Sequence, residues 1–192
     1  MNHSIRIVGP VLCAVLLSAC GSGGGGGAGM AAQEDAIRAI SDKYDPGLDE
    51  TSARSMPKTG TATYKGAAIY STTHDIVNDM ESDDEIWEVI QATSDVALTA
   101  DFAAGSISGS LSNFHDEDGA VAGAVDITNG TITKNTIQGD LSGSLALSGK
   151  SSVATGDIEG VFNGDKAQVI GGSVTGSAGG TPLWGLLVAD KQ

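Results

Sequence analysis

The reactive side chains of this 192-residue chain are few: His3, His74 and His115, Cys13 and Cys20, and two carboxylate runs, DMESDDEIWE over 79–88 and HDEDG over 115–119. His74 followed by Asp75 has the composition of a base and its orienter, but no G-x-S-x-G elbow presents a serine to it. Neither His-x-x-x-His nor a thiolate pair offers converging ligands to zinc. The acidic runs lack the spaced carboxylates and glycine of a calcium loop, so a solvated acidic loop is the simpler reading. A loop histidine above an apolar pocket suffices to ligate haem, which makes His74 and His115 weak candidate axial ligands, although no cofactor is required by the pattern. Trp87 beside Asp83, Asp84 and Glu85 has a different character. An aromatic inside an acidic rim is a candidate partner-contact loop, and equally a candidate cap on an apolar interior. The residues describe a binding protein rather than an enzyme.

Composition narrows the partners. The formal charge is −14, and all 24 acidic residues lie after position 19. Nucleic acid is excluded as a partner, because phosphate binding needs a cationic face. The N-terminus carries Arg6 and then a short apolar run, Val11 to Leu17, far below the ~20 residues that cross a bilayer. Residues 1–19 therefore read as a signal peptide. Leu17-Ser18-Ala19-Cys20 resembles the lipobox of bacterial lipoproteins, which implies lipid attachment at Cys20 and membrane anchorage. With Cys13 removed, the mature chain has one cysteine and no internal disulfide. By the same resemblance, glycine rather than aspartate at position 21 implies the outer membrane.

Residues 20–29 form the lipidated cysteine and a glycine-rich tether. Residues 30–58 read as a stalk, partly helical or disordered. In it Ala36, Ile37, Ile40 and Tyr44 have helical spacing, and Pro46-Gly47 stops the helix. From Thr59 the period changes to two. Gly60, Ala62, Tyr64, Gly66, Ala68 and Tyr70 share one parity, as do Val96, Leu98, Ala100 and Phe102, then Ile107, Gly109 and Leu111. Later runs are Val121 to Ile127, Ile137 to Leu147, Ile158 to Phe162 and Leu183 to Leu187. Turns are expected at Ala103-Ala104-Gly105, Asp118-Gly119, Asn129-Gly130, Ser148-Gly149, Asn163-Gly164 and Gly179-Gly180.

This pattern is all-β: an eight-stranded antiparallel meander barrel over residues 59–192, one face of each strand apolar and the other polar. Residues 72–92 read as an acidic loop holding a short helix or a strand extension. Glycines on the core parity are expected where bulky inward side chains would collide, with Tyr64, Tyr70, Phe102, Phe162 and Trp184 filling the space. A stacked solenoid is the rival fold, suggested by SISGSL and DLSGSL, but no fixed period of 20–50 residues carries through.

Three stretches carry a family resemblance: Gly60 to Gly66, Leu98 to Phe102 with Gly105 to Gly109, and Gly160 to Gly164 through Gly171-Gly172. Their order and spacing resemble the β-barrel domain of transferrin-binding protein B and its lipoprotein relatives, some of which bind complement regulators or haem. The resemblance covers about Thr59 to Gln192. It implies an outer-membrane lipoprotein, often displayed outside the cell, that captures a host or extracellular protein or an iron source, or works with a membrane receptor. The family's handle domain is not matched by the roughly 30 residues before the barrel, so transferrin itself is not carried over. An accessory envelope lipoprotein without a soluble ligand is the alternative.

Overall fold

The computed structural model describes residues 27–44, 48–73 and 90–192. One helix, α1 (Gly27–Lys43), precedes eight strands: β1 (Thr61–Ser71), β2 (Ala92–Asp101), β3 (Ser106–Asp116), β4 (Gly119–Thr133), β5 (Thr136–Leu147), β6 (Lys150–Asn163), β7 (Val169–Ala178) and β8 (Thr181–Lys191). Each strand pairs antiparallel with its neighbours in sequence, and β1 pairs with β8 from Tyr64↔Lys191 to Ser71↔Trp184. The ladder therefore has no free edge, which protects a barrel that no disulfide reinforces.

The period-two pattern explains the interior. Tyr64, Leu98, Leu111, Ile137, Ile158, Phe162 and Ile170 are almost completely buried, and each comes from the apolar parity of its strand. Side chains of this size each stabilise by roughly 1.5–3 kcal/mol on burial. An eight-stranded barrel is just wide enough for its own side chains to fill it. The barrel has two ends. At the upper end β1 ends and β2 begins, beside the turns at 116–119, 147–150 and 178–181. At the lower end lie the turns at 102–105, 133–136 and 163–169, with the chain's entry at Gly60 and its exit at Lys191.

The glycines serve both expected purposes: a Cβ on Gly185 would strike the Tyr70 ring at 2.6 Å, and at other positions the adjacent strand is the obstacle. A Cβ on Gly143 would stand 2.1 Å from the Ala124 carbonyl oxygen, and one on Gly66 would stand 1.9 Å from that of Val188. At these two positions a side chain would strike the backbone of the adjacent strand. The strands approach closely there, and that approach lets a small barrel coil.

Three expectations are revised. Asn129-Gly130 is not a turn; β4 runs through it to Thr133, with a register shift between Thr128 and Thr131. Asn129 adopts a positive φ of 51° inside this bulge, and the turn falls instead at Lys134, whose φ is 57°. Trp184 does not fill the interior. Its strand parity points it outward, where it packs with Leu186 against the cluster of Met30, Ile69 and Ile90. Finally, the stretch expected as a stalk lies along the barrel. Helix α1 covers the outer face of β1, so Ala67, Ile69 and Ser71 are buried as well as the inward residues.

After α1, residues 48–60 cross the lower end. Thr51 donates its N–H to the Phe162 carbonyl at 2.8 Å and its hydroxyl to the Gly164 carbonyl at 2.5 Å. Gly164 N–H returns a bond to the Asp49 carbonyl at 2.8 Å. Met56 enters the main core cluster from this segment.

Candidate functional site

Of the residues singled out by sequence, Cys20, His74, Asp83, Asp84, Glu85 and Trp87 lie outside the described residues. The chain leaves β1 at the upper end and re-enters at Ile90, so the acidic connection is rooted there. His115 is described, on β3 beside the buried Phe114. Inward Phe114 makes His115 outward. Its Nδ1 lies 3.1 Å from the Asn113 carbonyl, and its ring lies against α1, where a Cβ on Gly29 would be 2.1 Å from its Cδ2. The imidazole therefore looks at the helix and not into the barrel.

The interior just below the upper end holds a cavity of about 40 Å³, lined by Tyr70, Phe114, Leu145, Val174, Ala178 and Leu183 among others. Small-molecule and cofactor sites occupy about 300–1,000 Å³. The space is room for a few waters at most, and its lining is apolar. Tyr70 and Phe114 meet as a tilted pair with ring centroids 5.9 Å apart, and the Tyr70 and Ser94 hydroxyls bond at 2.8 Å. Burial pushes the Tyr70 phenol well above its usual range, with the Ser94 bond opposing slightly.

The lower end is filled by aromatics. The Phe162 ring lies 5.9 Å from Tyr64 and 5.8 Å from Phe102. Tyr64 donates its hydroxyl to the Ala167 carbonyl at 2.8 Å. Ala167 is fully buried and holds a left-handed φ of 60°, a conformation that alanine adopts only under constraint. Burial also pushes the Tyr64 phenol well above its usual range.

Helix α1 is fixed to the wall by a polar network that runs from buried Gln33 and Thr93 out to exposed Asp95 and Asn113. Gln33, 4% exposed, donates through Nε2 to Asp95 Oδ1 at 2.9 Å and to the Asn113 carbonyl at 2.7 Å. The Thr93 hydroxyl donates to Gln33 Oε1, and Asn113 Nδ2 donates to Asp95 Oδ2 at 3.1 Å. The network forms where β2 and β3 both slip register, between Thr93 and Asp95 on one pairing and Ser112 and Phe114 on the next. Bulges free the backbone and turn side chains that a regular ladder would hold apart. At the lower end Lys43 pairs with Asp190 at 2.5 Å, and the Tyr44 hydroxyl donates to the same carboxylate at 2.6 Å. Partial burial alone would raise Asp190, but the bonds from Lys43 and Tyr44 outweigh it and hold the carboxyl below its ordinary range.

Sequence reasoning missed Gln33, Asp95, Asn113 and Asp190. One signal was legible: Gln33 shares a helical face with Met30 and Ile37, three before and four after, so a polar residue stood in the apolar stripe. Its partners were not legible, because they depend on two bulges. Among the described residues no group of three or more His, Cys, Asp or Glu side chains is arranged to hold a metal ion.

The family model for the C-lobe and N-lobe β-barrels of transferrin-binding protein B matches residues 56–191. Among solved structures, an intact two-lobed Ap-TbpB is 21% identical, with a TM-score of 0.51, over 75% of this chain and 28% of that one. A transferrin-binding protein B from Haemophilus parasuis is 19% identical, with a TM-score of 0.48, over 75% and 29%. The isotype 1 protein of serogroup B Neisseria meningitidis is 16% identical, with a TM-score of 0.49, over 74% and 27%. At such identities the likeness speaks to fold alone, and this chain spans under a third of the length of these three. No curated protein matches the sequence. The model match takes in the whole barrel and more than half of the chain, and so the chain belongs to the family of transferrin-binding protein B β-barrel domains.

Proposed function

We propose that this protein is a lipid-anchored outer-membrane binding module that captures a protein or iron-source ligand on its outer surface. The observation that carries the reading is the filled interior. Among the described residues the interior cavity is about 40 Å³, too small to enclose a ligand, which directs attention to the turns, the wall and the acidic connection bearing Asp83, Asp84, Glu85 and Trp87. The same figure argues against haem inside the barrel. His115 is left as an outer-face candidate, and His74 belongs to the connection at the upper end. Capture from host fluid or growth medium by the purified mature chain tests the reading: saturable retention of a macromolecule supports it, and no retention from any source overturns it.

Anchorage is tested separately. Cys20→Ala abolishes palmitate labelling and frees the protein from membranes; continued labelling places the lipid elsewhere. A second reading is an accessory envelope lipoprotein without a soluble ligand. Protease shaving of intact cells separates the two, since a surface receptor is clipped and a periplasm-facing protein is spared.

A further inference from the structure

We infer that the upper end of the barrel, bearing the 116–119 turn, faces the bilayer, and that the lower end, crossed by residues 48–60, faces away from it. This rests on lipid attachment at Cys20 as proposed above. It goes beyond that proposal by stating which surface a soluble ligand can reach.

Helix α1 carries the case. Its start lies at the upper end, where Gly29 touches the His115 ring, and its end lies at the lower end, where Lys43 and Tyr44 meet Asp190. Seventeen residues at 1.5 Å each span about 25 Å, close to the height of strands of 10 to 15 residues tilted by roughly 40°. The helix is fixed and not draped. Met30 is buried with Ile69 and Ile90, and the Gln33 bonds to Asp95, Asn113 and Thr93 sit within its second turn. The start of the helix is thereby held at one end of the barrel.

The reach of the preceding chain then decides the orientation. From Cys20 to Gly27 there are seven residue steps, about 24 Å fully extended and roughly 15 Å root-mean-square for a glycine-rich chain. Bringing the lower end to the bilayer would require that chain to run back along the full height of the barrel, at or beyond its limit. Bringing the upper end there requires almost nothing. Charge alone would favour the reverse. At the lower end Arg54, Lys58, Lys134 and Lys166 are exposed beside Asp49, Glu50 and Asp165, whereas at the upper end Asp116, Glu117 and Asp118 form one turn and Lys150 lies in the next. Attraction of those cations to anionic lipid is graded and screened within about 8 Å at physiological salt, while a tether's length is a hard bound. A soluble ligand accordingly meets the lower end and the wall.

The test uses the full mature protein on zwitterionic phosphatidylcholine vesicles that contain a short-range fluorescent acceptor lipid. A donor is installed as a fluorescent noncanonical residue at Asp118 or at Asn135. Energy transfer is expected to be several-fold stronger from position 118. Equal transfer, as from a barrel lying on its side, or stronger transfer from 135 overturns the inference. Mass spectrometry of the N-terminus tells the two proposals apart. If Cys20 carries no lipid, the anchor reading fails, and the same chain coupled through the Cys20 thiol to a maleimide lipid still reports the orientation. Met30→Ala with Gln33→Ala, which frees the helix, is expected to erase the difference between the two positions; its persistence would mean that α1 does not set the orientation.

Discussion

The two ends of this barrel are closed by different means. The lower end is sealed by its own chain: residues 48–60 bond to β6 and its turn, Met56 enters the core, and three aromatic rings pack behind them. The upper end keeps a small apolar cavity under Tyr70 and Phe114, and the acidic connection is rooted there. The difference teaches where rigidity and where adaptability reside in a wall that is otherwise uniform. Packing at the lower end is redundant, so one lost contact is felt by several others. At the upper end a side chain already borders space, and its loss is partly absorbed.

The sharpest way to break this comparison is truncation at each end. Phe162→Ala removes a fully buried ring shared by Tyr64 and Phe102, and about 3–5 kcal/mol of unfolding free energy is expected to be lost in urea titration. Leu183→Ala, at a half-buried residue beside the cavity, is expected to cost less than half as much. Equal costs would mean that the two ends are packed alike.

Alkaline pH probes both ends at once. Tyr64 and Tyr70 have folded-state phenol pKa values above the unfolded value of about 10, so their contribution is intact below pH 10 and is lost as pH rises from there. Each tyrosine can add a slope of up to about 1.4 kcal/mol per pH unit above that point. Tyr64→Phe and Tyr70→Phe should each flatten the decline, and a wild-type stability unchanged between pH 9.5 and 11.5 would refute the burial of both.

Gln33→Ala tests the helix strap, leaving the buried Thr93 hydroxyl without its acceptor and freeing the exposed Asp95 and Asn113 carbonyl to water. About 1–3 kcal/mol is expected, with a red shift of tryptophan emission as Trp184 loses its cover. The smallest effect is at the strap's other end. Asp190 is held below its ordinary range, so its contribution is present above that range and is lost as pH falls through the folded value. Lys43 is largely exposed, so Lys43→Ala should change neutral-pH stability little, while Asp190→Asn removes part of the acid-side decline.

Much of this was legible from residue order. The inward parity of Val96, Leu98 and Ala100, and of Ile137, Leu141 and Leu145, is what the barrel buries. The turns at Asp118-Gly119, Ser148-Gly149 and Gly179-Gly180 fall where their chemistry places them. Asn129-Gly130 misled because the same left-handed preference that makes a hairpin also makes a bulge. Which of the two forms depends on whether the partner strand continues. Trp184 misled because an outward aromatic looks misplaced until a helix covers it.

Period-two alternation and local turn chemistry are properties of neighbours in the chain, and they matched a closed sheet with an apolar inside. Where α1 lies, why residues 48–60 cross one end, and which glycines touch a carbonyl of the next strand are properties of residues tens of positions apart. Gln33 meets Asn113, and Lys43 meets Asp190, only after closure brings them together. Contacts of that kind leave no period to read, because their partners are chosen by the shape of the finished wall.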